Sequence, residues 1–433
     1  MKPTNTVAKL FSSVSTLAVV AGAMALNGMA CGQVGQVVTW GNPICKVPAN
    51  LGSCKAITAG RSIVVVIKEN GTVAAWGDSQ EGNMNVPSDL GTCKAIAAGG
   101  YHVVAIQENG NVRSWGRYIG NPPINLGVCK AIAAINNRTM AIKEDGTVVG
   151  WGEAHYGENN PPSNLGACIA ISLGSFHSMA LKENGSIIGW GYNIVGQLNI
   201  PTDLGICKAI ASGDTHGMAL KADGEVIVWG ENQYGQCNAP SNLGNCKAIA
   251  AHSGHSLALK ENGTVVAWGL AIGGQCDVPQ TLYQCNQIAA GDSFSVALQI
   301  PVTITGVLPI SGPSSGNTNI TITGTNFYNP STVTIGGTPA TNVVVVSDTQ
   351  ITATTPAGFP GPAVVTVNSG SSTAFYYRPS CGSDVDNNGV VDSADLGIIL
   401  LDFGNCYESA APQEEQPLIM QTVAPAKSVP NKK

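Results

Sequence analysis

The stretch KAIAAHSGHSLALKENGTVVAWGLAIGGQCDVP, residues 247–279, is one copy of a unit that recurs from the first tryptophan of the chain to residue 299. All tryptophans of the chain stand at the same point of this unit, 36 or 39 residues apart. They are Trp40, Trp76, Trp115, Trp151, Trp190, Trp229 and Trp268. A repeat of this length is typical of solenoids and propellers, in which every copy forms one structural unit.

Each copy contains two short apolar runs joined by Asn-Gly or Asp-Gly. In the quoted copy, residues 258–260 lead to Asn262-Gly263, which precede residues 264–268. Asn-Gly between β-branched segments predicts a type I′ hairpin, whose two central residues both have positive φ. A preceding Lys-Ala-Ile strand and an outer strand in the Gly-Gln-x-x-x-Pro segment would give each copy about four strands, the content of one propeller blade.

The number of copies predicts how the ring closes. The strand that contains Ile57 in the first copy and Ile288 in the last occurs seven times, but the last copy ends at residue 299 without a tryptophan strand. The missing strand stands at the N-terminal end of the region, as residues 37–41. Because such a strand would remove both free sheet edges, we expect a mainly β fold in which residues 36–299 form a seven-bladed β-propeller closed by residues 36–41.

The motif ALKENGTVVAWG at residues 258–269, with its copy ALKENGSIIGWG at residues 180–191, resembles the regulator of chromosome condensation repeat in its short bacterial form. The repeat length, the Gly-Gln and Val-Pro elements and the N-terminal segment make the region similar to the secreted β-lactamase inhibitors that carry this repeat. The resemblance implies a propeller scaffold. It assigns no functional residues, because function depends on side chains placed on a fold rather than on the fold itself.

The N-terminus has the features of an export signal. Lys2 and Lys9 precede an apolar run over residues 10–26, and residues 28–30 offer a cleavage site before Cys31. The sequence therefore predicts a secretory signal peptide, residues 1–30, and a bacterial protein that is secreted or held at the cell surface. A lipoprotein is the less favoured alternative, because Gly28 stands where lipidation sites usually carry Leu.

The charge of the chain argues against nucleic acid as a partner, and its hydropathy argues against a membrane span. The chain has 21 basic and 27 acidic residues, a net charge of -6, and no cluster of Lys or Arg. Nucleic acid is therefore not expected as a partner, because phosphate contacts dominate such binding. Beyond the N-terminus no apolar run reaches the roughly 18 residues that a membrane span needs, so we expect no membrane span.

The cysteines follow the repeat. Three of the chain's 13 cysteines lie nine residues before a cysteine of a common register, whereas Met84 and Leu198 take that upstream place in two other copies. This exchange of sulfur for an apolar side chain predicts three local disulfides, Cys45 with Cys54, Cys237 with Cys246 and Cys276 with Cys285. The remaining cysteines of the register are expected to stay buried thiols; they are Cys93, Cys129, Cys168 and Cys207.

Residues 301–378 differ in composition from the repeats: Lys, Trp and Cys are absent, and Thr, Val, Gly and Pro dominate. Short alternating runs at residues 319–323, 332–335, 343–346 and 363–367 predict a small β-sandwich. The segments ITGTNF, residues 322–327, and VTIGG, residues 333–337, resemble the IPT/TIG domain, an immunoglobulin-like module. The resemblance implies a spacer or adhesion unit.

The sharpest chemical pattern is the loop DVDNNGVVDSAD, residues 384–395. Oxygen ligands fall at the spacing of a Ca²⁺ loop, with a glycine at the turn and an apolar face on the short helix predicted after it. The predicted ligands are Asp384, Asp386, Asn388, the backbone carbonyl of Val390, Asp392 and Asp395. The loop resembles one half of a dockerin, which implies a cohesin-like partner, although a dockerin carries two such loops.

The unit around this loop is expected to span residues 381–406. About 25 residues bury too little core to fold without support, so we expect Ca²⁺ and a disulfide between Cys381 and Cys406 to hold it. Residues 407–433, rich in Pro, Ala, Glu and Gln, are predicted to form a disordered tail.

Four histidines, His102, His177, His216 and His255, share one register of the repeat. Equivalent residues of successive blades lie far apart, so we expect the imidazoles to have structural roles, such as a hydrogen bond to a neighbouring blade's backbone, rather than to join a metal site. The tryptophans are expected to pack between blades, with an exposed sugar-stacking platform as the alternative.

The loops after each Trp-Gly differ between copies and are the candidate ligand face. They carry Tyr118, Tyr156, Tyr192 and Tyr234 near carboxylates, and tyrosine on rigid loops favours recognition; ordinary exposed loop chemistry is the alternative. Since no catalytic motif accompanies the repeats, the sequence predicts a non-enzymatic binding protein for an extracellular protein or polysaccharide. Two alternatives remain open: an extracellular polysaccharide-degrading enzyme or component, and an inhibitor of a secreted enzyme such as a β-lactamase.

Overall fold

The computed structural model describes residues 34–78, 82–120, 122–368 and 370–379. The predicted signal peptide, the calcium unit over residues 381–406 and the tail over residues 407–433 lie outside the described residues. The described chain is mainly β, and its one helical element is a short 3-10 turn at Pro43–Cys45. It divides into two compact units near residue 303, which are described separately below.

The repeat region consists of short antiparallel strands. In chain order they are β1 (Gln36–Gly41), β2 (Cys54–Ala59), β3 (Ile63–Lys68), β4 (Val73–Gly77), β5 (Cys93–Ala98), β6 (His102–Gln107), β7 (Val112–Gly116), β8 (Cys129–Ile135), β9 (Arg138–Lys143), β10 (Val148–Gly152), β11 (Cys168–Leu173), β12 (His177–Lys182), β13 (Ile187–Gly191), β14 (Cys207–Ser212), β15 (His216–Lys221), β16 (Val226–Gly230), β17 (Cys246–His252), β18 (His255–Lys260), β19 (Val265–Gly269), β20 (Cys285–Ala290) and β21 (Phe294–Gln299). Within the described ranges they form seven three-stranded sheets, from β2-β3-β4 to β17-β18-β19 and finally β20-β21-β1.

The N-terminal strand supplies the third strand of the last sheet. β1 pairs with β21 so that Trp40 stands opposite Ser295, the register that Trp268 and Ser256 have in the preceding sheet. Successive sheets contact one another in chain order, and β20 also contacts β2. Across this contact, the Gln287 side chain accepts a hydrogen bond from the backbone N–H of Ile57 at 3.1 Å. The repeated sheets therefore form a closed ring, the arrangement of a β-propeller.

Two details differ from the sequence-based expectation. Each sheet has three strands and not four, because the Gly-Gln-x-x-x-Pro segments form turns, where proline cannot donate to a β-ladder. The hairpins are not type I′. At the first one, only Gly71 has positive φ (85°), and the N–H groups of Gly71 and Lys68 bond the carbonyls of Lys68 and Thr72. This is a three-residue loop with a glycine bulge, in which the Asn70 side chain accepts the Thr72 N–H at 3.0 Å.

The tryptophans tie neighbouring sheets together. All are buried, with 6 to 9% of their surface exposed, and six indole N–H groups donate to a backbone carbonyl in the loop of the preceding sheet, at 2.8 to 3.0 Å. The acceptors for Trp40, Trp76, Trp115, Trp190, Trp229 and Trp268 are the carbonyls of Gln275, Cys45, Asn83, Glu158, Gln197 and Gln236. The expected packing between sheets is thus observed.

Three of the four buried histidines in this register, His102, His216 and His255, contact a side-chain hydroxyl of the next sheet. His216 Nε2 lies 3.0 Å from Ser256 Oγ, which itself donates to the carbonyl of Gln236 at 3.0 Å. Because the serine proton is used for that carbonyl, His216 must carry its proton on Nε2. His255 and Ser295 repeat the arrangement at 3.1 Å. We call the contact between two neighbouring sheets a joint. In these joints, a histidine and a backbone carbonyl of one sheet meet a hydroxyl and an indole of the next.

The joint at His177 is different. Both nitrogens of this fully buried imidazole have no hydrogen-bond partner. The position that carries a hydroxyl in the other joints is Gly217, where a Cβ would lie 2.7 Å from the Trp229 indole. The indole thus occupies the space of the missing side chain.

The second compact unit contains the remaining strands. They are β22 (Thr303–Leu308), β23 (Ser311–Pro313), β24 (Asn319–Thr325), β25 (Val333–Ile335), β26 (Thr338–Pro339), β27 (Thr341–Ser347), β28 (Gln350–Thr354), β29 (Gly361–Val367) and β30 (Gly370–Arg378). They form a four-stranded sheet, β22-β24-β28-β27, and a five-stranded sheet, β23-β30-β29-β25-β26. Both sheets contribute buried apolar side chains, among them Ile322 and Ile351 from one and Val365 and Phe375 from the other. Among the residues described, no helix has the length and apolar character to cross a membrane.

The buried histidines predict loss of stability in acid. Burial lowers the pKa of His102 and His216 from 6.5 to about 4, and that of His177 and His255 to about 3. As pH falls below 6.5, the unfolded chain takes up protons that the folded chain does not, so stability is complete above that pH and falls towards pH 4, by about 1.4 kcal/mol per pH unit for each histidine.

Urea unfolding midpoints measured at pH 7 and pH 4.5 check this expectation. His216→Phe, which copies the Phe294 of a sister sheet, should show a smaller fall than the wild type. An equal fall in both proteins would contradict it.

Candidate binding face

Two sets of loops meet on one face of the ring. The loop after each tryptophan strand bonds the hairpin loop between the first two strands of the same sheet: the Tyr192 N–H donates to the Phe176 carbonyl and the Arg117 N–H to the Tyr101 carbonyl, both at 2.9 Å. The same bond recurs in the other sheets. We call this surface the loop face. Its loops vary in sequence, whereas the strands that carry them repeat.

Buried side chains within the loops of this face hydrogen-bond the loop backbone and fix its conformation. Gln197, Gln236 and Gln275 are buried, and each side-chain oxygen accepts a backbone N–H of its own loop at 2.8 to 3.0 Å. Asn232 adds a second brace, because its side chain accepts the Cys237 N–H at 2.8 Å. Such loops present side chains without needing to order on binding.

Three aromatic side chains converge on the loop face. The rings of Tyr156 and Tyr192 lie 4.4 Å apart, and the Phe176 ring meets that of Tyr156 edge-on at 5.5 Å and 87°. Tyr156 is 51% exposed and Phe176 39%. The aromatic cluster, as we call these three residues, therefore joins loops of two neighbouring sheets and remains accessible to a partner.

The structure places the other two candidate tyrosines apart from this cluster. Tyr118 packs against Tyr101 at 5.8 Å, with the Arg117 guanidinium 4.9 Å from its ring. Tyr234 lies beside Gly254, where a Cβ would be 3.0 Å from the ring. Among the described ring contacts, none joins either tyrosine to the cluster.

Phe176 was not identified from the sequence. It lies in a hairpin loop, a set that the search for variable loops after Trp-Gly did not include. A comparison of the hairpin loops would have found it, because Tyr101 and Phe176 are the only aromatic residues at this position of the repeat. The equivalent residues in the other copies are Ser62, Asn137, Thr215, Gly254 and Ser293.

Acidic side chains adjoin the cluster. Ser175, next to Phe176, donates to the Asp214 carboxylate at 2.8 Å. Glu153 accepts from the Asn137 amide at 2.7 Å and lies 3.3 Å from His155 Nε2. Loops that adjoin the cluster thus carry carboxylates, which favour a partner with basic groups.

The cysteines of the repeats are free thiols in the structure, and the predicted pairings within the repeats remain predictions. Burial raises the pKa of Cys45 to about 12 and that of Cys54 to about 11. Cys237 and Cys276 are partly exposed, and their sulfurs donate to the carbonyls of Glu231 and Leu270 at 3.1 and 3.3 Å. The predicted pair Cys381 and Cys406 lies outside the described residues.

The predicted Ca²⁺ ligands, Asp384 to Asp395, also lie outside the described residues. Within the described ranges, no group of three or more His, Cys, Asp or Glu side chains could hold a metal ion. In the histidine register, His102, His216 and His255 each contact a hydroxyl of the next sheet at 2.8 to 3.1 Å.

Thiol accessibility tests both cysteine predictions. Iodoacetamide at pH 7.5 should leave Cys93, Cys129, Cys168 and Cys207 unmodified in the folded chain, because they are buried, and modify them in urea. Peptide mass spectrometry measures the modification. If Cys237 and Cys276 resist in urea until a reductant is added, they are disulfide-bonded; if they react in the folded protein, the pairings are wrong.

Comparison with known proteins supports the fold. Residues 301–380 match the IPT/TIG domain, and residues 93–117, 168–197 and 207–236 match the Regulator of chromosome condensation (RCC1) repeat. No curated protein matches the chain. Two solved structures resemble the chain: yeast RCC1 (Prp20) bound by Kap60, and Prp20p from Saccharomyces cerevisiae. The first has 16% identity and a TM-score of 0.53, and the match covers 62% of this chain and 90% of that one.

The second structure has 16% identity and a TM-score of 0.51, and the match covers 63% of this chain and 93% of that one. At this level of identity the likeness shows the fold alone. Together with the sheets described above, these matches show that the chain contains RCC1-like repeats in a propeller fold, followed by an IPT/TIG domain.

Proposed function

We propose that this chain is a secreted or cell-surface, non-enzymatic binding protein whose seven sheets form a seven-bladed propeller that captures a partner protein on its loop face. The observation that carries the proposal is the aromatic cluster of Tyr156, Phe176 and Tyr192, which is exposed on braced loops. At protein interfaces a few residues carry most of the binding energy, and tyrosine is enriched among them.

Ring geometry favours a protein over a polysaccharide as partner. A sugar stacks on a flat, exposed ring face, but Phe176 and Tyr156 meet at 87°, and Tyr156 and Tyr192 at 40°. The three rings therefore form an interlocked group and not a common plane. Ile194 and Val195, which follow Tyr192 in the same loop, are 72% and 40% exposed and extend the apolar surface.

The two resembling structures are of a protein described as bound by Kap60 and as binding Gsp1p and histones. Those partners are not transferred to this chain. They support only the general use of this scaffold as a protein-binding surface.

Inhibition of a secreted enzyme is a specific form of the same proposal, because an inhibitor also binds its target protein through an interface dominated by a few anchor residues. A polysaccharide-degrading role, suggested by the dockerin-like loop, is the competing proposal. Release of soluble sugar from insoluble polysaccharide by the full chain would favour the enzyme.

Capture by matched variants tests the binding face. The full chain, immobilised, is exposed to exported proteins and to insoluble polysaccharides, and bound material is quantified. Tyr156→Ala should weaken capture of a specific partner at least about tenfold, as expected for a central aromatic anchor. Tyr234→Ala removes an equally accessible tyrosine, 47% exposed, outside the cluster and should have little effect.

The contrary outcomes are equally defined. Equal loss in both variants, or loss in neither, would remove the cluster as the binding centre. Retention on polysaccharide alone would assign a glycan ligand.

Since acidic groups lie on loops that adjoin the cluster, capture should also weaken as the salt concentration rises.

The C-terminal unit is proposed to bind Ca²⁺ through the residue set given above and to serve assembly or anchoring, with a cohesin-like protein as the candidate partner. Terbium luminescence on the full chain, displaced by Ca²⁺, measures the site. Asp384→Ala should lower the affinity by about tenfold or more, because it removes a charged ligand, whereas Asp203→Ala in the repeat region should not. Equal affinities for both variants would contradict this assignment.

A further inference from the structure

One sheet of the ring carries charge where its sisters are neutral. At the register of the buried histidines, β9 has Arg138, and at the register of Gln197, Gln236 and Gln275, the following loop has Glu158. Arg138 is 2% exposed and Glu158 1%. The two exceptions occur in the same sheet and adjoin the same joint, because both interact with Ser178 of the next sheet.

Arg138 holds the hairpin loop that carries Phe176. Its guanidinium donates to the carbonyl of His177 at 2.6 Å and to that of Gly174, so it binds the loop on both sides of Phe176. It also donates to Ser178 Oγ at 2.9 Å. By comparison, His102, His216 and His255 each make one hydroxyl contact at 2.8 to 3.1 Å, and a neutral histidine has no second donor for the hairpin carbonyls.

Glu158 holds the loop that carries Tyr156. Its carboxylate accepts the Tyr156 N–H at 2.6 Å and the His155 N–H at 3.2 Å. The glutamines of the sister loops each accept one N–H at this place. Its backbone carbonyl, like theirs, accepts the indole N–H of the next sheet, here from Trp190 at 2.9 Å.

The two buried charges are of opposite sign and adjoin the same joint. Burial lowers the pKa of Arg138 to about 10, and the nearby Glu158 carboxylate opposes that shift. A single buried charge without compensation is strongly destabilising. If one of these two buried charges is present in a sheet, the opposite charge is therefore expected in the same sheet.

We propose that Arg138 and Glu158 are positioning residues for the binding face: the buried pair fixes the two loops that bring Phe176 and Tyr156 into ring contact. The inference rests on the proposed function for its biological meaning, but the positioning itself can be measured without a partner. Stability of the joint alone does not require the pair, since the sister joints are built from neutral His, Ser and Gln.

The test compares Glu158→Gln, Arg138→His and the double variant, which restores the neutral residues of the sister sheets. Hydrogen exchange followed by mass spectrometry is measured on the full chain, for peptides covering residues 153–160 and 173–178. Peptides covering residues 231–238 and 251–256, the equivalent loops at another joint, are the internal control. Urea midpoints are measured alongside.

We expect each single variant to lower the urea midpoint, because one charge is left unpaired, and the double variant to recover most of that loss. Exchange at residues 153–160 and 173–178 should nevertheless remain roughly tenfold faster in the double variant, as expected when charge-assisted hydrogen bonds to the loops are lost. The control peptides should not change.

Unchanged exchange in the double variant, or an equal rise in the control peptides, would overturn the positioning role. A double variant no more stable than the weaker single variant would overturn the compensation. If the wild-type chain captures no partner, the proposed function fails, while the exchange result still decides whether the pair positions the cluster.

Discussion

Backbone carbonyls at the joints between neighbouring sheets are the groups on which the ring depends. At the best-defined joints, one carbonyl accepts the indole N–H and a serine hydroxyl of the next sheet, as Gln236 does from Trp268 at 2.9 Å and Ser256 at 3.0 Å. Three-stranded sheets of five to seven residues per strand bury little core on their own. Repetition of this buried contact around the ring, with Cys45 accepting from Trp76 across the closure, turns weak units into one structure.

Because the acceptor is a backbone group, its side chain can vary. Cys45, Asn83, Glu158 and Gln197 all supply this carbonyl. The distance along the chain varies as well: Cys45 follows Trp40 by five residues, and Gln275 follows Trp268 by seven. Insertions and deletions therefore fall in the loop without disturbing the joint. This separation lets the loop face change from sheet to sheet while the strands keep their register.

The sequence was sufficient to predict the features that repeat. The tryptophan spacing and apolar runs predicted a mainly β propeller, and the composition change after residue 300 predicted a second β unit. The resemblance of short motifs implied the RCC1 type of repeat and the IPT/TIG domain, and family matches support both. Features fixed by a single hydrogen bond were harder to predict. Asn70-Gly71 fits both a type I′ turn and a glycine bulge, and the choice depends on whether the Asn side chain bonds the Thr72 N–H.

The candidate site was predictable only in part, for a physical reason. Tyr156 and Tyr192 occupy equivalent loops and could be named from the repeat pattern, but the contact between them depends on how two neighbouring sheets face each other. Phe176 belongs to a different kind of loop, the hairpin loop, whose carbonyl at Phe176 accepts the Tyr192 N–H. Sequence periodicity describes one copy at a time, whereas the cluster is a property of two.

The same distinction explains why the charged pair lies where it does. Elsewhere on the loop face, neutral side-chain hydrogen bonds within one loop are enough, because a side chain outside the cluster, such as Tyr234, needs only its own loop to be fixed. Rings that touch across a joint need both loops fixed relative to each other. A neutral histidine has one donor, whereas a guanidinium has several in one plane and can bind two carbonyls of the neighbouring hairpin as well as its hydroxyl. A buried arginine then requires a buried carboxylate nearby, and the Gln register of the same sheet is the place where a carboxylate also holds the Tyr156 loop.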